Sequence, residues 1–167
     1  CAALLSGARL IVADEPTTAL DVTTQAEVMA ILDDLRTSRQ LSLLLITHDL
    51  ELAAAVCDRI AVMYAGEIVE IQHAEQLEEY PRHPYTRGLL LARPSIEAVT
   101  HPLPSIPGRA IRPDDAGNSC AFAPRCSHVA DQCTSSHPTL STRGDAVVRC
   151  VRADELGTTE RQEVAPS

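Results

Sequence analysis

Apolar positions along this chain fall into short blocks whose spacing alternates between unbroken runs and a helical period. Residues 9–14, Arg-Leu-Ile-Val-Ala-Asp, make a continuous apolar run that ends in acid, the pattern of a strand buried in a parallel sheet. Turn residues follow. Thr24 and Glu27 then form a capping-box pair ahead of Val28, Ile31, Leu32 and Leu35, which recur at helical spacing and predict an amphipathic helix over 24–38. A second unbroken run, 41–47, predicts a second buried strand. Strand, helix, strand implies a right-handed crossover between parallel neighbours, so the fold class is α/β. His48-Asp49 opens a further helix that runs to about Cys57. Residues 60–64 and 67–71 flank Ala65-Gly66 as the arms of a hairpin, and a short helix near 74–79 closes this part of the chain.

Beyond residue 80 the pattern changes. Prolines at 81, 84, 94, 102, 104, 107 and 113 interrupt an apolar helix around 85–92, which marks 81–113 as a linker and docking segment. Cys120, Cys126, Cys133 and Cys150 follow in a segment, 114–155, with few large apolar residues, and the polar stretch 156–167 is expected to be disordered. Residues 1–80 form the first domain of this division. With aromatic residues at 2% of the chain, any core has to be aliphatic.

Charge is uneven in a way that narrows function. Residues 1–80 carry 14 acidic and four basic side chains, and 81–167 carry nine and ten, so the first part offers no surface to nucleic acid. All 14 basic residues are arginine; a phosphate-binding P-loop needs a lysine, and the chain has none. No apolar run reaches the roughly 18–20 residues needed to cross a bilayer. The first residues, Cys-Ala-Ala-Leu-Leu, lack an initiator Met and a basic segment, and are read as an internal point of a longer parent chain rather than as a secretory signal.

Asp14-Glu15 stands at the C-terminal end of the first strand, where ligand sites of open α/β sheets gather. An Asp there is placed to hold Mg²⁺, and the adjacent Glu to polarise a water for phosphoryl transfer. The run Leu10-Ile-Val-Ala-Asp-Glu-Pro-Thr-Thr-Ala-Leu-Asp21, followed after another strand by Ile46-Thr-His-Asp49, closely resembles the ATPases of ABC transporters. The resemblance implies a partial P-loop-type nucleotide-binding domain, a parallel sheet with flanking helices, in which the first run is the Walker B motif and D-loop. By that resemblance Asp14 orders Mg²⁺, Glu15 is the general base for ATP hydrolysis, Asp21 acts at a dimer interface and His48 contacts the γ-phosphate. The stretches Cys57-Asp-Arg-Ile-Ala-Val-Met-Tyr-Ala-Gly-Glu-Ile-Val-Glu70 and His83-Pro-Tyr-Thr-Arg-Gly-Leu-Leu90 are similar to the oligopeptide/dipeptide importer branch.

Four thiols spaced as Cys120, Cys126, Cys133 and Cys150 invite a staple. Tetrahedral Zn²⁺, an iron–sulfur cluster and two disulfides all satisfy the count, and the absence of a Cys-x₂-Cys pair weakens a zinc ribbon. The stretch from Cys120 to Cys133 also resembles the C-terminal extension of the same importer ATPases, which implies a [4Fe–4S] cluster, with Zn²⁺ as the alternative. His128 and His137 are candidate substitute ligands, and Cys1 and Cys57 are read as packing residues.

The resemblance implies a peripheral subunit on the cytoplasmic face of the cell membrane that hydrolyses ATP for peptide import. Its partners are a second, identical or related ATPase subunit, transmembrane permease subunits and, indirectly, an extracytoplasmic peptide-binding protein. The P-loop and signature motif are absent from these residues, so the chain alone is expected to be inactive. The competing reading is a non-catalytic metal-binding docking module, or the remnant of such a subunit.

Overall fold

The computed structural model describes residues 8–93, 105–112, 115 and 117–159; Cys1, the other parts of the proline-rich segment and the end of the polar tail lie outside them. Two compact units divide between Asp58 and Arg59.

In the first unit, β1 (Leu10–Asp14) and β2 (Ser42–Ile46) pair in parallel, Leu10 opposite Ser42 and Asp14 opposite Ile46. Between them runs α1 (Val22–Arg39), and α2 (Leu50–Val56) follows β2. The α/β class and the parallel pairing are as the apolar runs require. The cap differs: Asp21 rather than Thr24 closes the start of α1, accepting from the amides of Thr23 and Thr24 at 3.1 and 3.0 Å. The helix therefore begins two residues earlier than the Thr24–Glu27 pair implied, because a short carboxylate reaches both free amides of the first turn. The strands also differ from the buried pattern. Leu10, Val12, Leu44 and Ile46 are each about half exposed on one face of the pair, since the described residues provide no layer over it.

The second unit is built on a four-stranded antiparallel sheet in the order β3 (Arg59–Tyr64), β4 (Glu67–His73), β6 (Ala146–Val148), β5 (Ser141–Arg143). Ala65 and Gly66 both take positive φ, 49° and 80°, as a tight primed turn demands of the two residues joining β3 to β4. Where the composition change suggested a boundary at residue 80, β4 pairs instead with β6, Glu70 opposite Val148 and Ile71 opposite Val147. The hairpin and the cysteine segment thus share one sheet.

That segment also has a core of its own. Ala121, Phe122, Ala123, Cys133, Ala146, Val148, Ala153 and Leu156 are buried, so small residues packed on the sheet replace the large ones it lacks. Of the chain's three tyrosines and one phenylalanine, Tyr64, Tyr85 and Phe122 converge with ring centroids 4.6–5.4 Å apart. α3 (Ala74–Glu79) buries Leu77 completely, and α4 (Pro84–Leu91) starts with Pro at its first position. Part of the presumed linker is pinned down: Arg125 donates to the carbonyls of Ile106 and Pro107 at 3.0 and 2.8 Å. α5 (Asp131–Ser135) and α6 (Ala153–Thr159) complete the unit, so residues 156–159 are helical rather than disordered.

Candidate functional site

The end of β1 turns sharply. Glu15 adopts φ of 45° and Ala19 of 65°, a left-handed backbone that side chains other than glycine disfavour. The Glu15 amide donates to the Ile46 carbonyl at 2.8 Å, extending the β1–β2 ladder by one bond into the turn. This fixes Glu15 beside the chain that leaves β2, where His48 stands. Glu15 Oε1 lies 3.3 Å from His48 Nδ1, and Thr18 Oγ1 donates to Glu15 Oε2 at 2.7 Å. These two contacts, the Thr18 hydroxyl foremost, hold the Glu15 carboxyl below the usual carboxylate range and keep it ionised.

Asp14, the last residue of β1, is exposed beside it. Asp21 is committed to the α1 cap, with Thr24 Oγ1 adding a 2.8 Å bond to its other oxygen; these bonds lower its pKa. Asp14, Glu15 and His48 therefore gather at one end of the β1–β2 pair, whereas Asp21 sits at the far side of the turn.

In the second unit Cys120, Cys126, Cys133 and Cys150 line one pocket together with His83 and Arg152. The Cys120 amide donates to the Cys133 carbonyl at 2.8 Å, tying two of the cysteine segments. None of the four is in a disulfide. Burial pushes the thiols of Cys120 and Cys126 up, and that of Cys150 up to about 11; neighbouring thiols add to each shift. Without a cation these sulfurs stay protonated. Among the described residues no three His, Cys, Asp or Glu side chains are arranged to hold a metal ion. The donor set, four unpaired thiols without a carboxylate, nevertheless suits a thiophilic metal or cluster. Of the candidate substitutes, His128 lines the pocket, whereas His137 is taken by Glu67 at 2.9 Å.

Comparison with known proteins connects the two regions. Residues 69–133 match the model of the C-terminal region of oligopeptide/dipeptide transporters. The chain is 43% identical over 156 residues to the oligopeptide transport ATP-binding protein AppD of Bacillus subtilis (strain 168), covering 93% of this chain and 48% of that protein. It is 43% identical over 137 residues to the dipeptide transport ATP-binding protein DppD of Escherichia coli (strain K12), covering 82% of this chain and 42% of that one. Over most of its length the chain is similar to oligopeptide/dipeptide transport ATP-binding proteins. It spans about half the length of the curated relatives it matches. The oligopeptide transport ATP-binding protein OppD of Haemophilus influenzae (strain ATCC 51907 / DSM 11121 / KW20 / Rd) is a further relative, 42% identical over 140 residues, 84% of this chain and 43% of that protein.

Within the second unit, the stretch from His83 to Leu90 is organised by a group that sequence reasoning missed. Glu70 is fully buried, and its carboxylate accepts from the amides of Arg82 and His83 at 2.8 and 3.0 Å. Burial raises its pKa, and the two amides oppose the rise. A bulge in β4 opposite Val62 and Met63 breaks the alternation, so that Val69 and Glu70 are both buried; that displacement leaves no trace in local periodicity. His83, also buried, accepts from the Tyr85 amide through Nδ1 at 3.0 Å, so its proton sits on Nε2. Its position ahead of Pro84 is a helix-start signal that was legible. No helix among the described residues is long and apolar enough to cross a membrane.

Proposed function

We propose that in the whole protein this chain supplies the water-activating side of an ATPase site that powers import of oligopeptides or dipeptides. The observation that carries the reading is the convergence of Glu15 and His48, from the ends of adjacent parallel strands, at 3.3 Å with Asp14 alongside. Asp14 would hold Mg²⁺, which supplies charge compensation to the transferred phosphoryl group. Glu15, ionised, accepts a proton from the attacking water. His48, 76% exposed at its side chain, is free to turn towards a γ-phosphate. Asp21 belongs to the loop that would face a second ATPase subunit, identical or related. The chain holds no lysine, so the lysine and backbone amides that cradle the β- and γ-phosphates come from another segment.

We place the assembled subunit on the cytoplasmic face of the membrane against permease subunits, with a peptide-binding protein acting indirectly. Cys120, Cys126, Cys133 and Cys150 would hold a [4Fe–4S] cluster, with Zn²⁺ as the alternative. Such a group supplies cross-links between the segments that carry the thiols.

The test is ATP hydrolysis by the whole subunit with its permease partners, comparing wild type with Glu15→Gln. The expected result is a rate lowered by about 10²–10⁴-fold with ATP binding retained. An undiminished rate removes Glu15 as the base and with it the enzymatic role of this site.

A further inference from the structure

Arg152 has no part in the ATPase reading, yet it occupies a singular place in the second unit. It stands two residues beyond Cys150, immediately before α6, and lines the four-thiol pocket. Its guanidinium donates through Nη1 to the carbonyl of His128 at 3.0 Å, and His128 stands two residues beyond Cys126. Nε is held by Glu155 at 2.8 Å, which orients the planar fork. One side chain therefore spans the two segments that present Cys126 and Cys150.

We propose that Arg152 is the positioning and charge-compensating residue of this pocket, setting how firmly a thiolate-held iron–sulfur cluster is retained and at what potential it is reduced. The inference rests on the cluster reading of the four cysteines. Reduction by one electron adds a negative charge to a group already carrying four thiolates, in surroundings that penalise buried charge. A fixed cation beside it favours the reduced form, and anchoring two ligand segments to each other resists loss of iron. Glu155 shares the guanidinium but is itself largely exposed, so solvent screens its opposing charge.

The experiment compares whole, anaerobically purified subunits carrying Arg152, Arg152→Lys and Arg152→Gln. Iron per chain is measured, and the visible spectrum is followed during a redox titration with dithionite as electron donor. Arg152→Gln is expected to lower the midpoint so that, at the wild-type midpoint, the ratio of reduced to oxidised cluster falls about tenfold, or about 59 mV for a one-electron couple. Arg152→Lys, which keeps the charge, is expected to stay close to wild type. Full iron and an unchanged midpoint in Arg152→Gln overturn the proposal while leaving the cluster reading intact. If Arg152→Gln loses its iron, Arg152→Lys decides. Retention at the wild-type potential supports the role of the charge, whereas loss of iron in both variants supports the anchoring role and overturns that of the charge. A wild-type protein without iron, seen before any substitution is considered, overturns the cluster reading and this inference together.

Discussion

His83 shows what a single buried side chain contributes to this fold. Its ring is 2% exposed and packs 5.9 Å from Phe122, and burial drives its pKa down to about 4, partly offset by a hydrogen bond to the Arg149 backbone. Protonation is thus disfavoured in the fold but not in the unfolded chain, where the value is 6.5. Between those two values the unfolded state binds more protons, so stability is complete above pH 6.5 and falls as pH drops towards 4. Between pH 7.5 and 5 the expected loss is about 2 kcal/mol. Glu70, whose pKa is raised by burial, has the opposite tendency: its contribution weakens as pH rises. Urea unfolding of wild type and His83→Asn at both pH values isolates the histidine, and an equal pH dependence in the two proteins would refute its role. The chemistry of individual residues was legible in part. Asp14 and Glu15 were singled out by their place at a strand end and His48 by the resemblance to ABC-transporter ATPases, and Glu15 and His48 stand 3.3 Å apart. Glu70 and Arg152 were not singled out, since nothing within a few positions of either marks what it meets.

Among the elements, β6 carries the most weight for its length. Three residues long, it pairs with β4 on one side and β5 on the other, and it buries Ala146 and Val148 at 1% and 0% exposure. Arg149, just after it, donates its amide to the Val69 carbonyl at 2.8 Å and its Nε to that of Ile68 at 3.0 Å. These bonds lock the strand beside the β4 bulge. Val148→Ala is expected to destabilise the second unit by about 2–3 kcal/mol through lost burial and the cavity left behind. Hydrogen exchange should then speed up across β3, β4 and β6 while the β1–β2 pair is unaffected, because the two units are separate clusters of contacts. Uniform acceleration over both units would count against that separation. Helices α1 to α4 and the hairpin were readable from period and the Ala65-Gly66 turn, all set within a few residues, whereas the Asp21 cap of α1 and helices α5 and α6 were not. The pairing of β4 with β6 was not, since such short strands carry no alternation long enough to name their partner.

For the molecule as a whole, the four cysteines decide whether the second unit rests on packing alone. Its sheet, the aromatic trio and Leu77 already form a core, so a cluster adds cross-links to a structure that is folded around other contacts. Replacing Cys126 and Cys133 with Ser is expected to abolish visible absorption near 400 nm in anaerobically purified protein and to lower the unfolding temperature without dispersing the sheet. Colourless wild-type protein with stoichiometric zinc would decide for Zn²⁺ instead. The sequence by itself determined the α/β class, the parallel crossover, most element positions, the acid pair with its histidine and the resemblance to peptide-transport ATPases. Each of these follows from local period, end-capping chemistry or motif spacing. Only the tertiary structure decided that the hairpin and cysteine segment share one sheet, that four thiols line one pocket beside Arg152, and that a buried carboxylate organises the turn into α4. These depend on which distant surfaces exclude water from one another, and burial of that kind is a property of the assembled chain rather than of any stretch within it.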